Sequence, residues 1–117
     1  MKGLELSTAI AKILDNKKAH DVKVLKIEDL TIVTDYIVIA TGTSTTQVKA
    51  LADEVEFQLE TQHGLRPTRE EGYESKNWIL MDYDTVIVHV FHPEARNYYN
   101  LDKLWADGEE IAINLED

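Results

Sequence analysis

The sequence predicts an α/β (α+β) fold, a mixed sheet of about four to five strands flanked by helices in the order α-β-β-α-β-β-α. Three observations carry this. Two stretches, Leu6 to Leu14 and Val48 to Leu59, repeat apolar residues at helical spacing. The run Tyr36-Ile37-Val38-Ile39-Ala40 is continuously apolar, which marks a strand covered on both faces. The link Tyr83-Asp84-Thr85 is so short that the apolar runs on either side of it must form an antiparallel hairpin.

Taken in order, Leu6, Ala9, Ile10, Ile13 and Leu14 predict a helix over residues 4–16, with Lys17 and Lys18 placing cations at its negative end. Val22, Val24, Leu25 and Ile27 predict a strand over Asp21 to Ile27. Glu28 to Thr34 reads as a loop or a short extended link. Asp35 to Thr41 is the clearest strand and ends at Gly42. Ser44 followed by Gln47 is a capping box, which satisfies the free N–H groups opening the next helix. Gly64 closes that helix in the usual place. Residues 65–77 read as a loop of a length often tied to function.

Trp78 to Asp82 and Val86 to Phe91 are the hairpin strands. A right-handed crossover joins the Tyr36 and Trp78 strands if these run parallel. Pro93 opens a third helix carrying Ala95, Tyr98, Tyr99, Leu101 and Leu104. Asp107 to Asp117 is a tail with five acids and no base, interrupted by Gly108. The organisation is therefore one domain over 1–107 and an acidic tail over 108–117.

Charge narrows the choice of partner. Lys and Arg number 12 against 22 Asp and Glu, a net −10. Such a chain is poorly equipped to grip nucleic-acid phosphates or an anionic membrane, and suits a basic partner. The chain has no cysteine, which removes disulfides, thiolate nucleophiles and Cys-ligated metals, and fits a cytoplasmic location. No apolar run approaches the ~20 residues of a membrane helix.

Two chemical readings compete with plain structural ones. Gly42-Thr43-Ser44 precedes a helix and offers N–H groups to a phosphate, but it lacks the P-loop lysine and the dinucleotide glycines. Asp82 and Asp84 share a strand face and are able to hold a divalent metal as in nucleotidyltransferases, although Asp84 also suits a turn. His89, between Val88 and Val90, reads as a hydrogen-bonded sheet residue. Trp78, Leu80 and Asp82 share one face of their strand, with Ile79, Met81 and Tyr83 on the other. By alternation alone, both faces belong under helices. If one face is free, its Trp suits the centre of an interface.

Several segments together resemble the ribosomal silencing factor (Iojap) family over roughly residues 5–107. They are Lys18-Ala19 with Val22, Asp35 to Gly42, Ser44 with Gln47 to Ala50, Glu71-Gly72, Trp78 to Tyr83, Val88 to Phe91, and Arg96 to Tyr99 with Leu101, Leu104 and Trp105. One position departs from the family's pattern: Asp84 stands beside Tyr83 where a glycine is usual.

The resemblance implies a nucleotidyltransferase-like fold without the catalytic set, and a binding protein rather than an enzyme, with no cofactor. It implies binding to the large ribosomal subunit through ribosomal protein fourteen. This blocks small-subunit joining and lowers translation under nutrient limitation. It also implies a homodimer when free. The implied contact residues are Trp78, Leu80 and Asp82, followed by Glu71, Tyr83, Arg96 and Lys103. The alternative is a metal-dependent enzyme built on Asp82 and Asp84.

Overall fold

Leu6, Ile10, Ile13 and Leu14 line one side of α1 (Gly3–Asn16), and Val48, Leu51, Val55 and Leu59 line one side of α2 (Thr45–His63). Both helices turn these stripes onto one face of a six-stranded sheet. The computed structural model describes residues 1–113. The strands are β1 (His20–Lys26), β2 (Tyr36–Thr41), β3 (Arg69–Glu71), β4 (Trp78–Asp82), β5 (Val86–Phe91) and β6 (Glu109–Glu110). Their order across the sheet is β3-β4-β5-β2-β1-β6. On the opposite face lie two short helices, α3 (Pro93–Tyr99) and α4 (Leu101–Leu104).

The centre goes to the strands that are apolar on both sides. Every residue of β2 and β5 is buried, and the two strands run parallel side by side. β4 is antiparallel to β5 and lies outside it, so the parallel neighbour of β2 is β5. The condition for a crossover between the Tyr36 and Trp78 strands, that they run parallel, is therefore not met. β4 is displaced outward because only alternate residues, Ile79 and Met81, are fully covered.

Two strands were beyond the reach of periodicity. β3 and β6 have three and two residues, all charged, and form edges on β4 and β1. The 65–77 segment therefore contains a strand, and part of the acidic tail pairs with β1. Tail residues 114–117 lie outside the described residues.

The single third helix expected after Pro93 divides at Asn100. That residue takes the left-handed conformation (φ 49°), and its side chain accepts the Lys103 N–H at 3.2 Å to start α4. Lys17 and Lys18 stand just past the last turn of α1, with Lys18 left-handed at φ 70°. The capping box is shifted by one residue. Ser44 Oγ accepts the Gln47 N–H at 3.1 Å, but Gln47 Oε1 returns to the N–H of Thr43 at 2.6 Å.

Candidate functional site

Strand alternation sorts β4. Ile79 and Met81 enter the core under α1 and α2, whereas Trp78, Leu80 and Asp82 point to the other face and are half-buried. Register extends that face sideways. Glu71 and Arg69 of β3 stand opposite Leu80 and Asp82, and Phe91, His89 and Ile87 of β5 stand opposite Trp78, Leu80 and Asp82. Ala95 and Leu101 of the short helices cover this face over Leu25, Ile27, Ile37 and Ile39. The β3–β4 side is left partly open. Full burial of both faces of β4, the expectation from alternation, therefore does not hold.

An aromatic cluster borders the open area. The Trp78 ring lies 5.0 Å from Phe91 and 4.6 Å from Tyr99, and Tyr99 meets Tyr98 edge-on at 5.0 Å. Trp78 Nε1 donates to His89 Nδ1 at 3.0 Å, so His89 is the hydrogen-bonded sheet residue its neighbours suggested. The residue is only 7% exposed, and burial lowers its pKa to about 4.

Glu71, Trp78, Leu80 and Asp82 thus share one surface. The other residues named from sequence do not join it equally. Tyr83 falls on the opposite side of the sheet by the same alternation, is buried, and has a hydroxyl without a hydrogen-bond partner. Arg96 is an internal tie. Its guanidinium reaches both carboxylate oxygens of Asp102, the Asp21 carbonyl and the Thr41 hydroxyl. Lys103 is exposed on α4. Periodicity missed Arg69, which pairs with Glu71 at 3.1 Å, because β3 is too short to announce its register.

On the α2 side of β3 the carboxyls of Glu56 and Glu70 meet. Burial first, then Glu70, pushes the Glu56 pKa up to about 7, with Asp53 and Glu60 adding to it. Burial and these carboxylates also raise the pKa values of Tyr73 and Tyr83.

The two readings as a chemical site meet local explanations. Asp82 Oδ1 accepts the Asp84 N–H at 2.8 Å, which caps the β4–β5 turn. Asp84 takes the left-handed conformation at φ 70°, so it does conformationally what a glycine does there. Among the described residues no group of three or more His, Asp or Glu is arranged to hold a metal. At the α2 N-terminus, Ser44 and Gln47 occupy N–H groups that a phosphate would need. Among the described residues no helix is long and apolar enough to cross a membrane.

The fold and this surface define an α+β domain that carries a partly open, aromatic-rimmed sheet face suited to binding. The chain belongs to the ribosomal silencing factor family, whose model, described as "Ribosomal silencing factor during starvation", matches residues 2–117. The chain is 41% identical to the ribosomal silencing factor RsfS of Bacillus subtilis over 97 residues, 83% of this chain and 81% of that protein. It is 37% identical to the factor of the same name from Halalkalibacterium halodurans, covering 97% of this chain and 96% of that one. A crystal structure of a Chromobacterium violaceum protein superposes with a TM-score of 0.86 at 34% identity, covering 99% of this chain and 95% of that one.

Proposed function

We propose that this chain acts in the cytoplasm as a ribosome-silencing binding protein that docks on the large subunit through ribosomal protein fourteen. Docked there, it blocks joining of the small subunit and represses translation under nutrient limitation. The observation that carries this reading is the half-covered strip Trp78–Leu80–Asp82, rimmed by aromatic rings and set in a chain of net charge −10. Aromatic anchors bordered by charge are the composition of interface centres. The acidity favours a basic protein and disfavours direct contact with phosphates, so the surrounding RNA steers the domain onto protein.

Size suits occlusion. The domain measures 34 × 33 × 30 Å, enough to offer a standard interface of ~800 Å² and still obstruct a neighbouring surface. In this reading the chain is neither an enzyme nor a cofactor binder. The same apolar strip pairs two copies when no ribosome is present, forming a homodimer.

The test is subunit joining. Purified protein should co-sediment with isolated large subunits and reduce joined ribosomes when small subunits are added. Trp78→Ala should weaken both effects without unfolding the domain. Normal joining at saturating protein overturns the reading.

A further inference from the structure

Trp78 is enclosed by Phe91 on one side, at 5.0 Å and 28° between ring planes, and by Tyr99 on another, at 4.6 Å and 45°. These contacts bury area but carry no strong direction, since an indole between two rings is free to slide or turn over. Among the described residues the indole's one polar contact is His89, across 3.0 Å. His89 stands on β5 opposite Leu80, two residues from Phe91 on the same face.

We propose that His89 is a positioning residue for docking: its Nδ1 lone pair holds the Trp78 indole in one orientation, so that the ring meets the partner already ordered. This rests on the reading of the β4 face as the docking surface.

Chemistry assigns the imidazole's state. Indole nitrogen only donates, so the histidine nitrogen that faces it carries no proton, and the ring's proton sits on Nε2. Burial keeps the ring neutral at physiological pH, with a pKa of about 4, so the lone pair is always available there. Its neighbours on the face are Trp78, Leu80, Ile87, Phe91 and, across on β2, Ile39, none of them titratable. An anchor ordered before contact loses less side-chain freedom on binding, a benefit of a few-fold to about tenfold in affinity.

The experiment uses the full chain with Trp105→Phe, which leaves one tryptophan. The indole is ¹⁵N-labelled, and its N–H exchange is followed beside co-sedimentation with large subunits. His89→Phe keeps a ring and removes the acceptor. His89→Asn places an amide oxygen near the Nδ1 position. The indole N–H should exchange slowly and lie downfield with His89, exchange fast in His89→Phe with about tenfold weaker binding, and recover both properties in His89→Asn. If His89→Phe fails to fold, His89→Gln replaces it, because its amide reaches past the indole toward the Nε2 position.

Unchanged exchange or unchanged affinity on loss of the acceptor overturns the proposal. So does failure of His89→Asn to restore them, which would reduce the role to ring packing. If the unaltered protein does not co-sediment, the docking reading falls, and His89's hold on Trp78 is then judged by the indole signal alone.

Discussion

Arg96 and Asp102 meet edge to edge, with Nε 3.3 Å from Oδ1 and Nη2 3.0 Å from Oδ2. Nη1 continues to the Asp21 carbonyl at 2.6 Å and to the Thr41 hydroxyl at 2.8 Å. One side chain therefore ties α3 to α4 and to the adjoining ends of β1 and β2. Burial alone would raise the Asp102 pKa, but hydrogen bonds from Arg96 and Lys23 bring it down to about 2. Arg96→Met leaves Asp102 with Lys23 at 3.0 Å as its one cation among the described residues, strands the Asp21 carbonyl and the Thr41 hydroxyl, and should cost ~1–3 kcal/mol. Arg96→Lys should recover only part, because an ammonium cannot make the two-point contact. Thermal denaturation measures both, and an unchanged Tm for Arg96→Met refutes the assignment.

Gly72 crosses over β4 at φ 91°, and a Cβ there would stand 1.9 Å from the Trp78 carbonyl oxygen. The obstacle is backbone, which cannot swing aside as the end of a long side chain can. Gly72→Ala should cost ~2–4 kcal/mol and move β3, weakening large-subunit binding along with stability. Gly64→Ala is the control. Its φ is 65°, but nothing lies within 4 Å, so only the backbone term of ~1 kcal/mol applies. Equal losses of stability in the two variants would show that the collision at Trp78 is relieved at no cost.

How much of this was legible depended on length and period. β2 announces itself by the unbroken apolar run Tyr36 to Ala40, so its central place could be read directly. β4 and β5 were legible as the two strands of a hairpin, but nothing in their patterns says that β5 rather than β4 lies beside β2. β3 and β6 were not legible, because two or three charged residues carry no period and are held only by neighbouring edges. The strip Trp78–Leu80–Asp82 was legible as one face, but which face is open depends on how far α3 and α4 extend. That is set by the left-handed turn at Asn100. Tyr83 and Arg96 look like surface chemistry in sequence. Alternation buries the first, and a carboxylate six residues on captures the second.

Asp82 has two separable jobs. Its Oδ1 caps the Asp84 N–H at 2.8 Å, while the side chain stands on the proposed docking strip. Asp82→Asn keeps an acceptor and should leave stability nearly unchanged, whereas Asp82→Ala should lose ~1 kcal/mol. If the carboxylate meets a basic partner, the Asn variant should bind large subunits more weakly despite its intact fold. Equal binding by Asn and wild type would remove the charge from the interface. Asp84→Gly, at φ 70°, should be neutral or stabilising by ~0.5 kcal/mol, since glycine adopts that conformation without a Cβ penalty.

Tyr83 offers a test of face assignment. Its hydroxyl is buried without a partner beneath α2, close to Glu56, Glu70 and Glu60. Tyr83→Phe removes an unpaired polar atom and should be neutral or stabilising by up to ~1 kcal/mol. Because the ring lies on the opposite side of the sheet from Trp78, binding to large subunits should not change. A clear loss of binding with unchanged stability would place the docking surface on the wrong face.

A buried histidine and a partly buried carboxyl give opposite pH slopes. His89 titrates near 6.5 when unfolded and at about 4 when folded. Between those values the unfolded chain holds more protons, so stability rises with pH there, by at most about 3 kcal/mol. Glu56 runs the other way. It titrates near 4.5 unfolded and at about 7 folded, because burial and then Glu70 favour its protonated form, with Asp53 and Glu60 contributing and Tyr73 and Tyr83 nearby. Over that window the folded chain holds more protons, so stability falls as pH rises. Asp102, at about 2 folded against 3.8 unfolded, is largely ionised in both states above about pH 5 and adds a rising slope only at the acid end, near pH 4. Between pH 4.5 and 6.5 the two slopes oppose each other, so the wild-type profile should be flatter than that of either single variant. Glu56→Gln leaves the histidine slope alone, so its stability should climb with pH. His89→Asn leaves the carboxyl slope, so its stability should decline. Urea midpoints measured across pH read all three directly, and identical profiles for the three proteins would mean that neither group's titration differs between the folded and unfolded chain.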